Sequence, residues 1–227
     1  MNEEQWAAVD HYLTDLLIPS DPDLDSALEA SKKADLPAIN VSPAQGKLLH
    51  LMARIQGARN ILEIGTLGGY STIWLAKALP PGGRLITLEY EPVHAEVARC
   101  NIERAKLSEM VEIRVGRAID TLPQLLTEKR GPFDFVFIDA DKVSTPDYYQ
   151  WALRLTRQGS VIVVDNVVRK GNITDRASED QSVQGVRRFL EMAAVEPFVS
   201  ATAIQTVGIK SYDGFAVLLV TGSPVAG

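Results

Sequence analysis

Phe133-Asp134-Phe135-Val136-Phe137-Ile138 runs without a break into Asp139-Ala140-Asp141-Lys142. A short apolar run rich in aromatic and β-branched side chains reads as a strand buried on both faces, the pattern of a parallel sheet. Ser160-Val161-Ile162-Val163-Val164 runs the same way into Asp165-Asn166. Around this pair the chain alternates. Strands are expected over Asn60–Glu63, Arg84–Glu89 and Val111–Val115 as well, and helices over Tyr70–Leu79, Pro92–Lys106, Ala118–Lys129, Asp147–Arg157 and Ser182–Ala194. Strand and helix in turn imply an α/β sheet covered by helices on both faces. The rhythm ends in two strands, Phe198–Thr206 and Gly214–Val220, joined by a polar segment containing Ser211-Tyr212-Asp213-Gly214. They read as an antiparallel hairpin on the sheet edge. The expectation is a seven-stranded, mostly parallel sheet.

Working outward, Ser42-Pro43 is a cap followed by a first-turn proline, and it opens a helix whose apolar face carries Leu48, Leu49, Met52 and Ile55. Two helices precede it. Asn2–Ile18 has an apolar rhythm at Trp6, Val9, Leu13, Leu16 and Leu17, and Asp23–Ala34 has early acids and late lysines. They read as a helical cap over residues 1–40, with the core over 41–222, in a single domain spanning 1–227. Such a cap could cover a substrate or serve a dimer contact. A chain of 227 residues, 46% hydrophobic and 23% charged, fits one α/β domain. Its net charge of -6 and lack of a basic run disfavour a nucleic-acid partner, and none is expected. No apolar stretch is long enough to span a membrane, and no leader sequence is evident, so a cytoplasmic location is expected. Cys100 is the only cysteine, and it is expected to be a small buried side chain of its helix.

In an open parallel sheet, ligands bind beyond the carboxyl ends of the strands. Asp139 and Asp165 stand at two such ends, 26 residues apart, so their strands should be neighbours. With Asn166 they offer three hard oxygen donors, a set that suits Mg²⁺, or Mn²⁺ or Ca²⁺ in its place, and leaves positions open for water or substrate. Each acid alone could be a helix cap. Asp141 is a further polar neighbour, a substrate contact or a turn former. Lys142 could be a plain solvated lysine. Beside a dication its pKa should fall, and the neutral amine could then take a proton from a hydroxyl.

A second constellation lies at the first strand end, Glu63-Ile64-Gly65-Thr66-Leu67-Gly68-Gly69-Tyr70-Ser71. Glycines let the backbone approach a ligand, and the helix behind offers free N–H groups. The pattern is G-x-x-G-G rather than G-x-G-x-x-G, with a glutamate at its head, which suits a cationic ligand better than a pyrophosphate. Glu89, at the second strand end, is placed to accept hydrogen bonds from ribose hydroxyls. Val115-Gly116-Arg117-Ala118 could edge an adenine, and Asp120 beyond it reads as a first-turn helix acid. Tyr70 contacts the ligand or packs. The three histidines show no ligand spacing, and Trp6, Trp74 and Trp151 read as packing. Arg169-Lys170-Gly171-Asn172 meets a substrate anion or forms an exposed loop, and the polar stretch Ile173–Gln181 could act as a lid.

Together, Glu63-Ile-Gly-Thr with Gly-Tyr-Ser71, Glu89, Phe137-Ile-Asp-Ala-Asp-Lys142 and Asp165-Asn166 closely resemble the cation-dependent O-methyltransferases that use S-adenosyl-L-methionine, the catechol and caffeoyl-CoA groups. Asp-Ala-Asp-Lys and the short N-terminal helices are more similar to the caffeoyl-CoA branch and its bacterial relatives. The resemblance covers about Val41 to Val220 and implies the Rossmann-like class I methyltransferase fold. It implies that Val41, Glu63, Gly65, Thr66, Ser71, Glu89 and Ala118 touch the cofactor, and the reading of the strand ends adds Tyr70, Gly116 and Asp139 as cofactor contacts. It also implies that Asp139, Asp165 and Asn166 hold the metal, that Lys142 is the base, and that Asp139 shares in catalysis. The acceptor would be a small phenol with two adjacent hydroxyls, and the enzyme a homodimer. The chain departs from the family pattern at Leu67-Gly68-Gly69 and at Val143-Ser144-Thr145-Pro146. The alternatives are a nicotinamide-dependent oxidoreductase, disfavoured by the glycine pattern, and a catalytically silent S-adenosylmethionine-binding domain.

Overall fold

Each N-terminal helix starts where the sequence supplies a cap. The computed structural model of the chain describes residues 2–222, so both ends of the 1–227 span fall outside it. Helix α1, Glu3–Leu17, opens at Asn2, whose side chain accepts from the Gln5 N–H at 3.1 Å. Helix α2, Pro22–Lys33, opens at Asp21, which accepts from the Asp23 N–H at 3.0 Å. Helix α3, Pro43–Gln56, opens at Ser42 and ends at Gly57 with φ 73°, the left-handed conformation that closes many helices.

Strands and helices then alternate: β1 Asn60–Ile64, α4 Tyr70–Ala76, β2 Arg84–Glu89, α5 Pro92–Arg104, β3 Val111–Val115, α6 Ala118–Thr127, β4 Phe133–Ile138, α7 Thr145–Leu155 and β5 Thr156–Asp165. After a 3₁₀ turn over Arg169–Thr174 come α8 Gln181–Val195, β6 Val199–Gly208 and β7 Ser211–Val220. The seven strands lie in the order β3-β2-β1-β4-β5-β7-β6. The first five are parallel, and β7 pairs antiparallel with both β5 and β6.

Strand order reverses between β1 and β4, the place where an open α/β sheet leaves a crevice. The register then brings the chemistry to one edge. Ile64 lies opposite Leu88 and Ile138, Glu89 opposite Val115, and Ile138 opposite Val164. Backbone bonds carry the ladder one step further, from the Gly65 N–H to Leu88 O, the Gly116 N–H to Glu89 O and the Asp139 N–H to Ile64 O. Gly65, Glu89, Gly116, Asp139 and Asp165 therefore emerge side by side.

Side chains alternating along the strands feed two cores. Leu62, Ile64, Val136 and Ile138 pack with Leu122, Tyr149 and Phe189 on one face; Ile61, Phe135, Phe137 and Val163 pack with Leu49, Ile73 and Ile102 on the other. All six residues of β4 are buried, as expected of a central parallel strand. Among the described residues no helix is long and apolar enough to cross a membrane.

Two local expectations are corrected. Cys100 is exposed, because α5 turns Ala95, Ala98, Asn101 and Ile102 inward and Cys100 falls off that stripe. The hairpin does not turn at Ser211–Gly214. That segment belongs to β7, Gly208 pairs with Ser211, and the chain reverses at Ile209-Lys210. Polar residues there mark contacts made by the strand and not the end of pairing.

Candidate active site

The loop from β1 to α4 is shaped by what lies against it. Gly65 has φ 102°, a conformation that favours glycine. A Cβ there would collide with the carbonyl oxygen of Asp139, so the ends of β1 and β4 meet only because the side chain is missing. Glu89 organises the loop from the next strand. Its Oε2 accepts from the Thr66 and Leu67 N–H groups at 3.2 and 2.7 Å, and its Oε1 from the Glu91 N–H at 2.9 Å. His94 Nδ1 lies 3.6 Å from that same Oε1. From behind, Asn101 Nδ2 donates to Gly68 O at 2.9 Å, and Lys77 ties α4 to Asp21 and Asp23 at 2.5 and 2.8 Å.

These elements surround a cavity of about 730 Å³, large enough for a nucleoside-sized ligand. Of the expected cofactor residues, Val41, Gly65, Thr66, Tyr70, Ser71, Glu89, Gly116, Ala118 and Asp139 line it. Glu63 does not. It lies fully buried beneath the loop, taking the Ser71 hydroxyl on Oε1 at 2.7 Å and the Thr72 and Thr87 hydroxyls on Oε2 at 2.5 and 2.7 Å. Burial pushes its pKa up to about 7 against these hydrogen bonds. It reaches the cavity through Ser71, whose hydroxyl it orients, and through Thr87, whose hydroxyl bonds that of Thr66 at 2.5 Å.

At the neighbouring end of the crevice, Lys142 Nζ donates to Asp139 Oδ1 at 2.9 Å, with 10% and 23% of the two side chains exposed. Asp165 closes β5 and is buried. Burial raises its pKa to about 7, and the negative charge of Asp139 adds to the rise. Asn166 follows with φ 57° and donates its N–H to Asp165 Oδ1 at 2.8 Å. The structure thus gathers Asp139, Lys142, Asp165 and Asn166 in one corner. Among the described residues no group of three or more His, Cys, Asp or Glu converges as a metal site. The donor set is two carboxylates and an amide, and its chemistry fits a hard divalent cation, because a positive ion would offset the burial and the Asp139 charge that together hold Asp165 high.

Asp141 has a structural role. It accepts from the Ser144 N–H at 2.9 Å and the Tyr148 hydroxyl at 2.5 Å, tying the turn before α7 to that helix, and it also lines the cavity. Burial alone would raise its pKa, but these bonds outweigh burial and hold it low. Three features escaped the sequence reading. His94 lines the cavity, although a lone helical histidine carries no signal. Ile39 and Asn40 form part of its wall from the segment before α3. Asp213 Oδ1 accepts from the Val168, Arg169 and Gly214 N–H groups, each at 3.0 Å. It pins the segment after Asn166, where Arg169, Lys170 and Gly171 all have positive φ. Its signal was the Asp-Gly pair taken for the hairpin turn.

A family model described as O-methyltransferase matches residues 20–219. The chain belongs to the O-methyltransferase family. This O-methyltransferase is 54% identical over 220 residues to the catechol O-methyltransferase of Niastella koreensis, covering 97% of this chain and 100% of that one. The crystal structure of an O-methyltransferase from Bacillus cereus in complex with SAH superposes with a TM-score of 0.96 at 58% identity, covering 97% of this chain and 100% of that one. An O-methyltransferase from Streptomyces achromogenes in complex with SAM superposes with a TM-score of 0.95 at 54% identity, covering 98% and 100%.

Proposed function

We propose that this enzyme moves a methyl group from S-adenosylmethionine to one hydroxyl of a small aromatic acceptor with two adjacent hydroxyls, with the help of a divalent cation. The observation that carries the reading is the corner formed by Asp139, Lys142, Asp165 and Asn166, beside a cavity walled by the glycine loop and Glu89. The names and bound SAH and SAM of the relatives above support it. Glu89, with the loop it organises, holds the nucleoside end, and Ser71, oriented by Glu63, meets the amino-acid end.

When bound, S-adenosylmethionine supplies an electrophilic methyl group, and a cation held by Asp139, Asp165 and Asn166 supplies positive charge that favours ionised hydroxyls. Lys142 takes the proton from the attacking hydroxyl. Asp139, bonded to Lys142 at 2.9 Å, fixes where that amine points. The walls hold the acceptor oxygen and the methyl carbon at reacting distance, which supplies much of the rate.

The test is an acceptor screen with S-adenosylmethionine, with Mg²⁺ or with EDTA, read by mass spectrometry. Methylated catechols that need the cation support the proposal. Undiminished turnover in EDTA would refute the cation's part, and no product from any catechol would refute the acceptor.

The same enzyme works as a homodimer. In support, Val9, Tyr12, Leu13, Leu16 and Leu17 form an apolar stripe on α1 that stays exposed. Strand β6 lies at the sheet edge with eight exposed residues in a row, Ile204 and Val207 among them. An exposed stripe beside an unpaired edge is an association surface.

A further inference from the structure

The tip of the β6–β7 hairpin carries a cation toward the site. Phe215 of β7 lies opposite Asp165, so Ser211 and the turn before it run on past the carboxyl end of β5. Helix α1 holds the turn in place, with Asp10 Oδ2 accepting from the Ile209 N–H at 2.8 Å and Glu3 Oε1 from the Ser211 hydroxyl at 2.9 Å. From this clamped tip Lys210 Nζ reaches across and donates to Ala38 O at 3.1 Å. The next residues, Ile39, Asn40 and Val41, line the cavity. Lys210 loses hydration there, which lowers its pKa, while the charge of Asp139 reaches it and works the other way. Among the described residues Lys210 makes no ion pair. It is therefore an ammonium with one carbonyl partner and without a carboxylate of its own, bonded just ahead of the cavity-lining segment Ile39–Val41 and within reach of the charge of Asp139.

Resting on the function proposed above, we infer that Lys210 is a specificity-determining residue that binds a carboxylate on the side arm of the acceptor, so that the preferred substrate is a catechol acid. An ammonium with spare donors bonds a carboxylate more strongly than a neutral group. The two hydroxyls would face Asp139 and Lys142, and the side arm would point outward past Ile39, an exposed aliphatic residue at the cavity wall.

The experiment compares three acceptors that share one ring and differ in the charge of the arm: 3,4-dihydroxyphenylacetate, 3,4-dihydroxyphenylethanol and dopamine. The wild-type enzyme should show kcat/KM in that order, with about tenfold between acid and alcohol, as one charge-assisted bond gives. Most of the difference should lie in KM. In Lys210→Gln the acid-to-alcohol ratio should fall about tenfold, in Lys210→Glu dopamine should overtake the acid, and Lys210→Arg should keep the order. A lysine that merely tethers Ala38 would depress all three acceptors alike and leave the ratios unmoved, and that result overturns the inference. Equal ratios in the wild type overturn it too, while leaving the proposed function standing. If none of the three is methylated, the proposed function falls and this inference with it.

Discussion

A single missing side chain lets two strand ends converge at Gly65. Its φ of 102° and the Asp139 carbonyl beside it leave no place for a Cβ. Gly65→Ala should cost roughly 3 kcal/mol or more, since strain and a backbone clash add. It should also weaken S-adenosylmethionine binding by at least tenfold; thermal melts and calorimetric titration check the two effects. Asp213 acts at the same scale. Asp213→Ala leaves three backbone donors without their acceptor and should lower stability by about 2–4 kcal/mol. Asp213→Asn keeps a side-chain oxygen and should recover most of that loss. A larger effect on the half-saturation of the proposed cation than on the KM for S-adenosylmethionine would locate the damage at Asn166, which the pinned segment follows. At the proposed base, Lys142→Met should cut turnover by about 10²–10⁴, followed as methylated product at neutral pH.

Helix α1 is the element least explained by the fold. It buries none of its residues, yet it clamps the tip of the β6–β7 hairpin through Asp10 and Glu3. An amphipathic helix with its apolar stripe in water is stabilised by whatever covers that stripe. Leu13→Glu combined with Leu16→Glu should therefore convert the proposed dimer to a monomer in light scattering. The melting temperature measured at high dilution, where the proposed dimer would be dissociated, should barely change.

For the whole molecule, stability should depend on pH through a carboxyl far from any exposed ion pair. Glu63 is fully buried and its pKa is raised from 4.5 to about 7 by desolvation. Between these values the folded chain holds a proton that the unfolded chain has released. The stabilisation is complete below about pH 4.5 and is lost as the pH rises through 7. Glu63→Gln, which stays neutral throughout, should flatten this part of the profile; denaturant melts at pH 5 and pH 8 measure it. If the slope persists unchanged in the variant, the proton resides elsewhere.

The alternation of strand and helix, and the acids closing two apolar runs, were legible because burial on two faces and a carboxylate at a strand end leave local marks. The five parallel strands fell within a few residues of their expected places, since β1, β2, β4 and the second half of β5 hold short apolar runs and β3 alternates apolar and charged residues. Legibility failed where neighbours from distant parts of the chain decide the outcome. Glu63 sits among three hydroxyls instead of on the cavity wall, Cys100 faces water, and Ser211–Gly214 extends a strand because Asp213 has backbone donors to satisfy 44 and 45 residues away. Periodicity and end chemistry by themselves determined that the chain folds as a doubly wound sheet with acids along one edge. Only the packing of that edge decided which acid lines the cavity, which is sealed beneath it, and which lysine reaches across from the hairpin, because desolvation and hydrogen bonding are set by atoms brought together in space.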